Sequence, residues 1–285
     1  MKRSWRILSA CSLVLLFAEG VLRWRGYHAL PVFIADARYE YMTAPNQRIE
    51  TGGIRFVTNE IGMRCGSIGT KKKKRVLVVG DSVINGGLSS TQDSLATAIA
   101  ERLSDAEVLN CSAPSWGPDN AAAFLAVHGP FEADHLIAVF SSHDAFDRMT
   151  FEPLVGVHPA YPDRTPLFAL QAYAKKISYR PNTPADGAEG RVFNDGWLDL
   201  LHLASAQGIP FTVLLHAETS ELAAGQYDAR GQQLLDSLHA WHVPVIDLLS
   251  RMDSAGYWDQ IHLNDRGQHA LGDALSNAIR TTVTN

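Results

Sequence analysis

The stretch that decides the fold is RVLVVGDSVINGG, running from Arg75 to Gly87. Val76, Leu77, Val78 and Val79 form a short, continuous apolar run rich in β-branched side chains. That composition suits a strand covered on both faces, as in a parallel sheet. Gly80 breaks the run, and the polar pair Asp81 and Ser82 follows at once. A strand that ends so abruptly puts a hydroxyl at the carboxyl edge of a sheet, where open α/β folds bind ligands. The plainer account is that Asp81 and Ser82 only cap the next helix. Segments far downstream decide between the two.

Past Arg75 the pattern is regular. Apolar strand-like runs recur at 107–109, 136–140, 211–215 and 243–248, and segments with helical spacing lie at 94–103, 120–128, 196–207, 228–241 and 266–280. Strands alternating with helices imply a parallel sheet with helices on both faces. Residues 144–195 interrupt the alternation, and Pro181, Pro184, Gly187 and Gly190 mark a surface excursion. Phe151, Tyr161, Phe168, Tyr173 and Tyr179 punctuate this insert, either lining a cleft or anchoring the loop to the core.

With 285 residues, 46% of them hydrophobic, the chain can bury a sizeable core. A net charge of −5 argues against a nucleic-acid partner. The basic run at 71–75 reads as a solvated loop ahead of the strand. Three cysteines, Cys11, Cys65 and Cys111, are too few for a disulfide framework. Cys65 and Cys111 could pair in an oxidising compartment, and the sequence leaves that open.

Lys2, Arg3 and Arg6 precede an apolar segment at 7–18, the pattern of an export signal. The run extends to Leu22 only by including Glu19, so it is short of the ~20 residues that span a bilayer. The expectation is an uncleaved membrane anchor over residues 1–25, with removal after Ala18-Glu19-Gly20 as the alternative. Either way the domain is expected outside the cytoplasm. Residues 26–70, broken by Pro31, Pro45, Gly52, Gly53, Gly62, Gly66 and Gly69, read as a stalk and irregular lead-in with short strands or turns against the main domain at 71–285.

The chemistry is concentrated near Tyr257-Trp258-Asp259-Gln260-Ile261-His262-Leu263-Asn264. Asp259 and His262 are three apart in a loop entering the last helix, so one loop can deliver an imidazole together with its orienting carboxylate. A serine hydroxyl becomes a nucleophile only when a base takes its proton, and the base needs a partner that fixes its tautomer. Ser82, His262 and Asp259 could fill those roles. A helix cap beside a surface histidine explains the latter pair equally well, and no third ligand supports a metal.

These blocks together resemble the SGNH/GDSL hydrolases, from about Asn59 onward. Gly80-Asp81-Ser82 matches the family block whose serine is the nucleophile, and Asp259-Gln260-Ile261-His262 the block that supplies acid and base. Residues 110–120 (NCSAPSWGPDN) stand where the family carries an oxyanion-hole glycine, and Ser141-Ser142-His143-Asp144 matches Gly-x-Asn-Asp. Thr58 to Arg64 resembles a stretch seen upstream in exported members. By this alignment Ser115 replaces the oxyanion glycine and His143 the oxyanion asparagine. Ile84 excludes the Gly-x-Ser-x-Gly elbow of α/β-hydrolases.

The resemblance implies a three-layer α/β/α sandwich on a parallel sheet of flavodoxin-like order, with a loop insertion at 145–195. It implies an esterase that needs no cofactor or metal and removes an O-acyl group, acetyl first among them, from an extracytoplasmic carbohydrate or small ester. Ser82, His262 and Asp259 would form the triad. The N–H groups of Ser82 and Ser115, with the His143 ring, would form the oxyanion hole. Trp116 and Asp81 are candidate substrate contacts. The same triad would serve an acyltransferase, and the scaffold would serve as a binding module of an export assembly, its partners unknown.

Overall fold

A computed structural model describes residues 2–181 and 192–281, so Pro184, Gly187 and Gly190 lie outside the described residues. The chain opens with helix α1 (Lys2–Trp24) and two antiparallel hairpins, β1 (Phe33–Asp36) with β2 (Glu40–Thr43), and β3 (Arg48–Thr51) with β4 (Ile54–Val57). The central sheet follows: β5 (Arg75–Gly80), β6 (Glu107–Ser112), β7 (His135–Ser141), β8 (Phe211–His216) and β9 (Val245–Asp247). All its pairings are parallel, in the order β6-β5-β7-β8-β9, which is the flavodoxin-like order. Its helices are α2 (Ser82–Asn85), α3 (Ala96–Ser104), α4 (Pro118–His128), α5 (Ala169–Ser178), α6 (Gly196–Ala206), α7 (Thr219–Ala224), α8 (Ala229–Ala240) and α9 (Asp265–Thr281).

The period-two alternation of a strand explains why β5 must be apolar throughout. Leu77 and Val79 enter a core shared with Phe124 and Leu125 of α4, Trp197 of α6 and Leu234 of α8. Val76 and Val78 enter the opposite core, with Ala96 and Ala100 of α3 and Leu271 and Leu275 of α9. A strand between two helical layers has no wet face, so every residue of β5 is buried.

The sequence pattern locates all five sheet strands and the five long helices around them. It misses α5, whose apolar side chains Tyr173 and Ile177 point outward, and the short α2 and α7. Within 26–70 the short strands pack against the main domain: Phe33, Tyr41, Met42 and Met63 are buried in the same core as Leu77. The basic run also departs from a solvated loop at Arg75, whose buried guanidinium donates to Glu107 Oε2 at 2.8 Å and to the Phe131 carbonyl at 2.8 Å. Cys65 and Cys111 are both buried and unpaired.

Arg64 is the deepest tie between the lead-in and the domain. Its side chain is fully buried, lies 4.4 Å over the Phe56 ring, and donates to the carbonyls of Asn85, Gly87 and Ser90. Burial without a carboxylate partner pulls its pKa down to about 9. Arg64→Ala would open a cavity and leave buried carbonyls unpaired. It is expected to destabilise the fold by roughly 3–5 kcal/mol, since each orphaned group costs about 1–3 kcal/mol and the void adds to that. Urea unfolding followed by circular dichroism checks this, and a change under 1 kcal/mol would show that Arg64 is not structural.

Candidate active site

Ser82 is placed by the way β5 stops. A Cβ at Gly80 would lie 2.5 Å from the Val139 carbonyl oxygen, so only glycine lets the strand turn so close to β7. Asp81 then caps α2, its Oδ1 accepting from the Val83 N–H at 2.9 Å. Asn85 Nδ2 donates to the Ser112 carbonyl at 2.9 Å and holds α2 against β6. The capping account of Asp81 is therefore right, and it leaves Ser82 free at the start of α2. Asp81 itself is 2% exposed, so it is not the substrate contact expected of it.

The segment entering α9 brings the other two residues. His262 Nε2 lies 3.0 Å from Ser82 Oγ, and His262 Nδ1 lies 2.8 Å from Asp259 Oδ2. Asp259 Oδ1 accepts from the N–H groups of Ile261 and His262 at 2.9 and 2.8 Å. Partial burial works against its charge. Those two N–H groups and the His262 ring nevertheless hold Asp259 below the usual carboxylate range. A carboxylate bonded to Nδ1 fixes the tautomer with the Nε2 lone pair facing the hydroxyl.

The loop is held from the end of β8 by residues with no sequence signal. His216 Nε2 bonds the Ile261 carbonyl at 2.9 Å, and the Tyr257 hydroxyl donates to the Ala217 carbonyl at 2.6 Å. The His216 ring also stacks on Tyr257 at 5.4 Å. Burial lowers the His216 pKa to about 4, which keeps it a neutral donor. At the far end Asn264 accepts from the Arg266 and Gly267 N–H groups and starts α9.

The residues aligned with the oxyanion positions are arranged differently from one another. Ser115 has φ +58°, a left-handed conformation that favours glycine, which is the physical reason glycine suits this position. Its hydroxyl pairs with Tyr161 Oη at 3.0 Å, leaving the backbone N–H as its contribution. His143 sits on a 3-10 turn (Ser142–Ala145) that directly follows β7. Its Nδ1 meets Glu218 Oε1 at 3.2 Å, and its Nε2 is an ion-pair distance of 3.5 Å from Asp144 Oδ1. The turn brings Asp144 within ion-pair distance of the ring that precedes it. Glu218, from a segment remote in sequence, is the nearer of the two.

Burial opposes a charge on His143, but Asp144, the bond to Glu218 and Asp81 outweigh it and raise its pKa to about 10. Burial in turn raises Asp81 and Asp144 above the ordinary carboxylate range, against the attraction of His143. Ligand atoms of Asp81, His143 and Asp144 lie within 4.8 Å of one another, close enough for a cation. Both ring nitrogens of His143 are already engaged, Nδ1 with Glu218 and Nε2 with Asp144.

Trp116 is fully buried, its Nε1 donating to the Tyr41 carbonyl at 2.9 Å, so it cannot stack on a substrate. Trp258 does face outward, 65% exposed. It lines a cavity of about 350 Å³ with Ser82, Asp259, His262, Gly87 and Pro114. A neighbouring cavity of about 280 Å³ is lined by Ser115, Asp147 and Tyr179. A larger cavity, about 750 Å³, opens beside α6 and α9 and holds none of these residues. The site chemistry therefore belongs to the smaller cleft.

No family model and no curated protein matches the chain. Solved structures similar to it include the psychrotrophic esterase EstA from Pseudoalteromonas sp., at 11% identity, covering 74% of this chain and 100% of that one, with a TM-score of 0.46. The lipase/acylhydrolase from Enterococcus faecalis overlays at 15% identity, 73% and 96% coverage, and a TM-score of 0.45. A carbohydrate acetylesterase family member from Sinorhizobium meliloti overlays at 16% identity, 74% and 100% coverage, and a TM-score of 0.40. The overlays are loose and the identities low.

Proposed function

We propose that this chain is a serine hydrolase of the SGNH type that cleaves O-acyl esters. The observation that carries the reading is the relay Ser82 Oγ–His262 Nε2–Asp259, with contacts of 3.0 and 2.8 Å, at the carboxyl edge of a parallel sheet. His262 takes the proton of Ser82 as its oxygen attacks the acyl carbonyl, and Asp259 stabilises the imidazolium that forms. The Ser82 and Ser115 N–H groups and the His143 Nε2–H hold the tetrahedral oxyanion. His262 then protonates the departing alkoxide, and water repeats the sequence to release the acid.

A small acyl group, acetyl above all, suits the cleft of about 350 Å³ beside Ser82. An exposed Trp258 ring at its rim favours a carbohydrate as the alcohol half of the ester. The helix α1, with a stretch at Ser4–Trp24 whose length and mean hydropathy suit a span but which Glu19 and Arg23 interrupt, supports an anchored protein. Lys2, Arg3 and Arg6 ahead of it favour an extracytoplasmic domain. An alkaline phosphatase fusion after Tyr27 is then active, and an inactive fusion would overturn that side of the membrane.

The test is acyl release from p-nitrophenyl acetate, with and without an oligosaccharide acceptor. Hydrolysis that the acceptor leaves unchanged is the expected outcome. Acceleration with acyl-sugar appearing would mean transfer to a sugar instead of water. No release under either condition, with no labelling of Ser82 by a fluorophosphonate, would leave a binding module.

A further inference from the structure

The acid inside α1 has a structural counterpart. Residues 4–18 rise roughly 22 Å at about 1.5 Å per residue, against the ~30 Å hydrocarbon core of a bilayer. Along this stretch Trp5, Leu8, Leu13, Leu16 and Phe17 are 63% to 75% exposed. Contact with the domain is made at Glu19. Its two carboxylate oxygens accept from the Ala169 and Leu170 N–H groups, both at 2.9 Å, and Arg23 Nε bonds the same carboxylate at 2.7 Å. Arg23 Nη2 also donates to the Leu167 carbonyl at 2.7 Å. Glu19 thus caps α5, and the chain before α5 is pinned beside α1 at the depth where Glu19 and Arg23 interrupt the apolar stretch.

At that depth Leu167 is 78% exposed and Phe168 59% exposed. We infer that Leu167 and Phe168 enter the same leaflet as α1, completing the hydrophobic thickness that Glu19 interrupts, so that the protein meets the bilayer at two linked points. The inference rests on α1 lying in the membrane. The occupant of this surface is the lipid acyl-chain boundary, because the exposed pair is continuous with the lipid-facing stretch of α1. From this contact α5 rises along the chain after α1, with Tyr173 edge-on to Tyr27 at 5.3 Å. Past its far end Tyr179 and Arg180 line the cavity that contains Ser115. The helix is a strut that fixes how the cleft faces the membrane, which suits an ester held at a set height above the lipid.

The test uses the full chain in nanodiscs with Cys11→Ser, Cys65 and Cys111 being buried. An environment-sensitive fluorophore is placed on Phe168→Cys, on Phe17→Cys as a reporter of the span, and on Leu103→Cys as an exposed site on α3. Lipids doxyl-labelled near the headgroup are expected to quench the labels at 168 and 17 at least twofold more than the label at 103. Quenching at 17 but not at 168 overturns the inference and leaves the anchor standing. Failure to quench at 17 overturns both. A label at 168 shielded from water but not quenched by lipid means that a second copy covers this face, which also overturns it.

Discussion

Ser82→Ala and His262→Ala are each expected to lower kcat for ester hydrolysis by about 10⁴- to 10⁶-fold, and the double variant by no more than either alone. The reason is geometric: the 3.0 Å contact between Ser82 Oγ and His262 Nε2 makes nucleophile and base one unit, and losing either removes the alkoxide. Asp259→Asn keeps the shape of the loop but presents an amide to Nδ1, which selects the wrong tautomer. Its expected loss is about 10³- to 10⁴-fold. A fluorophosphonate should label wild type and leave Ser82→Ala unmodified. Wild-type turnover matched by Ser82→Ala would sink the mechanism, whatever the fold.

His143 is the second large effect. His143→Ala is expected to cost about 100- to 1000-fold in kcat with little change in KM, the usual consequence of removing one preorganised oxyanion donor. His143→Asn supplies a neutral N–H and should recover much of that loss. A histidine that only packs between Asp144 and Glu218 would instead lower the melting temperature and leave kcat of the folded fraction intact. Linkage gives a further signature. The folded-state pKa of about 10 lies above the ordinary 6.5, so the native state binds the proton more tightly than the unfolded chain. The stabilisation from His143 is full below pH 6.5 and is lost as pH rises through about 10. Melting temperature should therefore fall across that window in wild type and fall less in His143→Asn. Parallel curves would show that the ring carries no extra proton.

How much of this was legible beforehand follows from the range over which each signal acts. The apolar run of β5, the helical periods around it and the caps at Asp81 and Asn264 are local, set by which neighbours along the chain must be buried or bonded. They determine the alternation of strands and helices, and with it a parallel sheet whose carboxyl edge carries Ser82. The three-residue spacing of Asp259 and His262 is local too, so that pair was readable as a unit. The 180 residues separating Ser82 from His262 are closed only by the fold. Periodicity says that a side chain is apolar, never which distant surface covers it. Hence Trp116 reads as a substrate contact and Trp258 does not, and only packing buried the first beneath Tyr41 and left the second at the cleft. Asp144, the larger source of the charge on His143, is its neighbour in sequence, but the contact of His143 with Glu218, on a loop after β8, was equally invisible. So was the partner of Glu19, an acid that looked like a flaw in an apolar helix until the N–H groups of Ala169 and Leu170, 150 and 151 residues away, were seen to bond it.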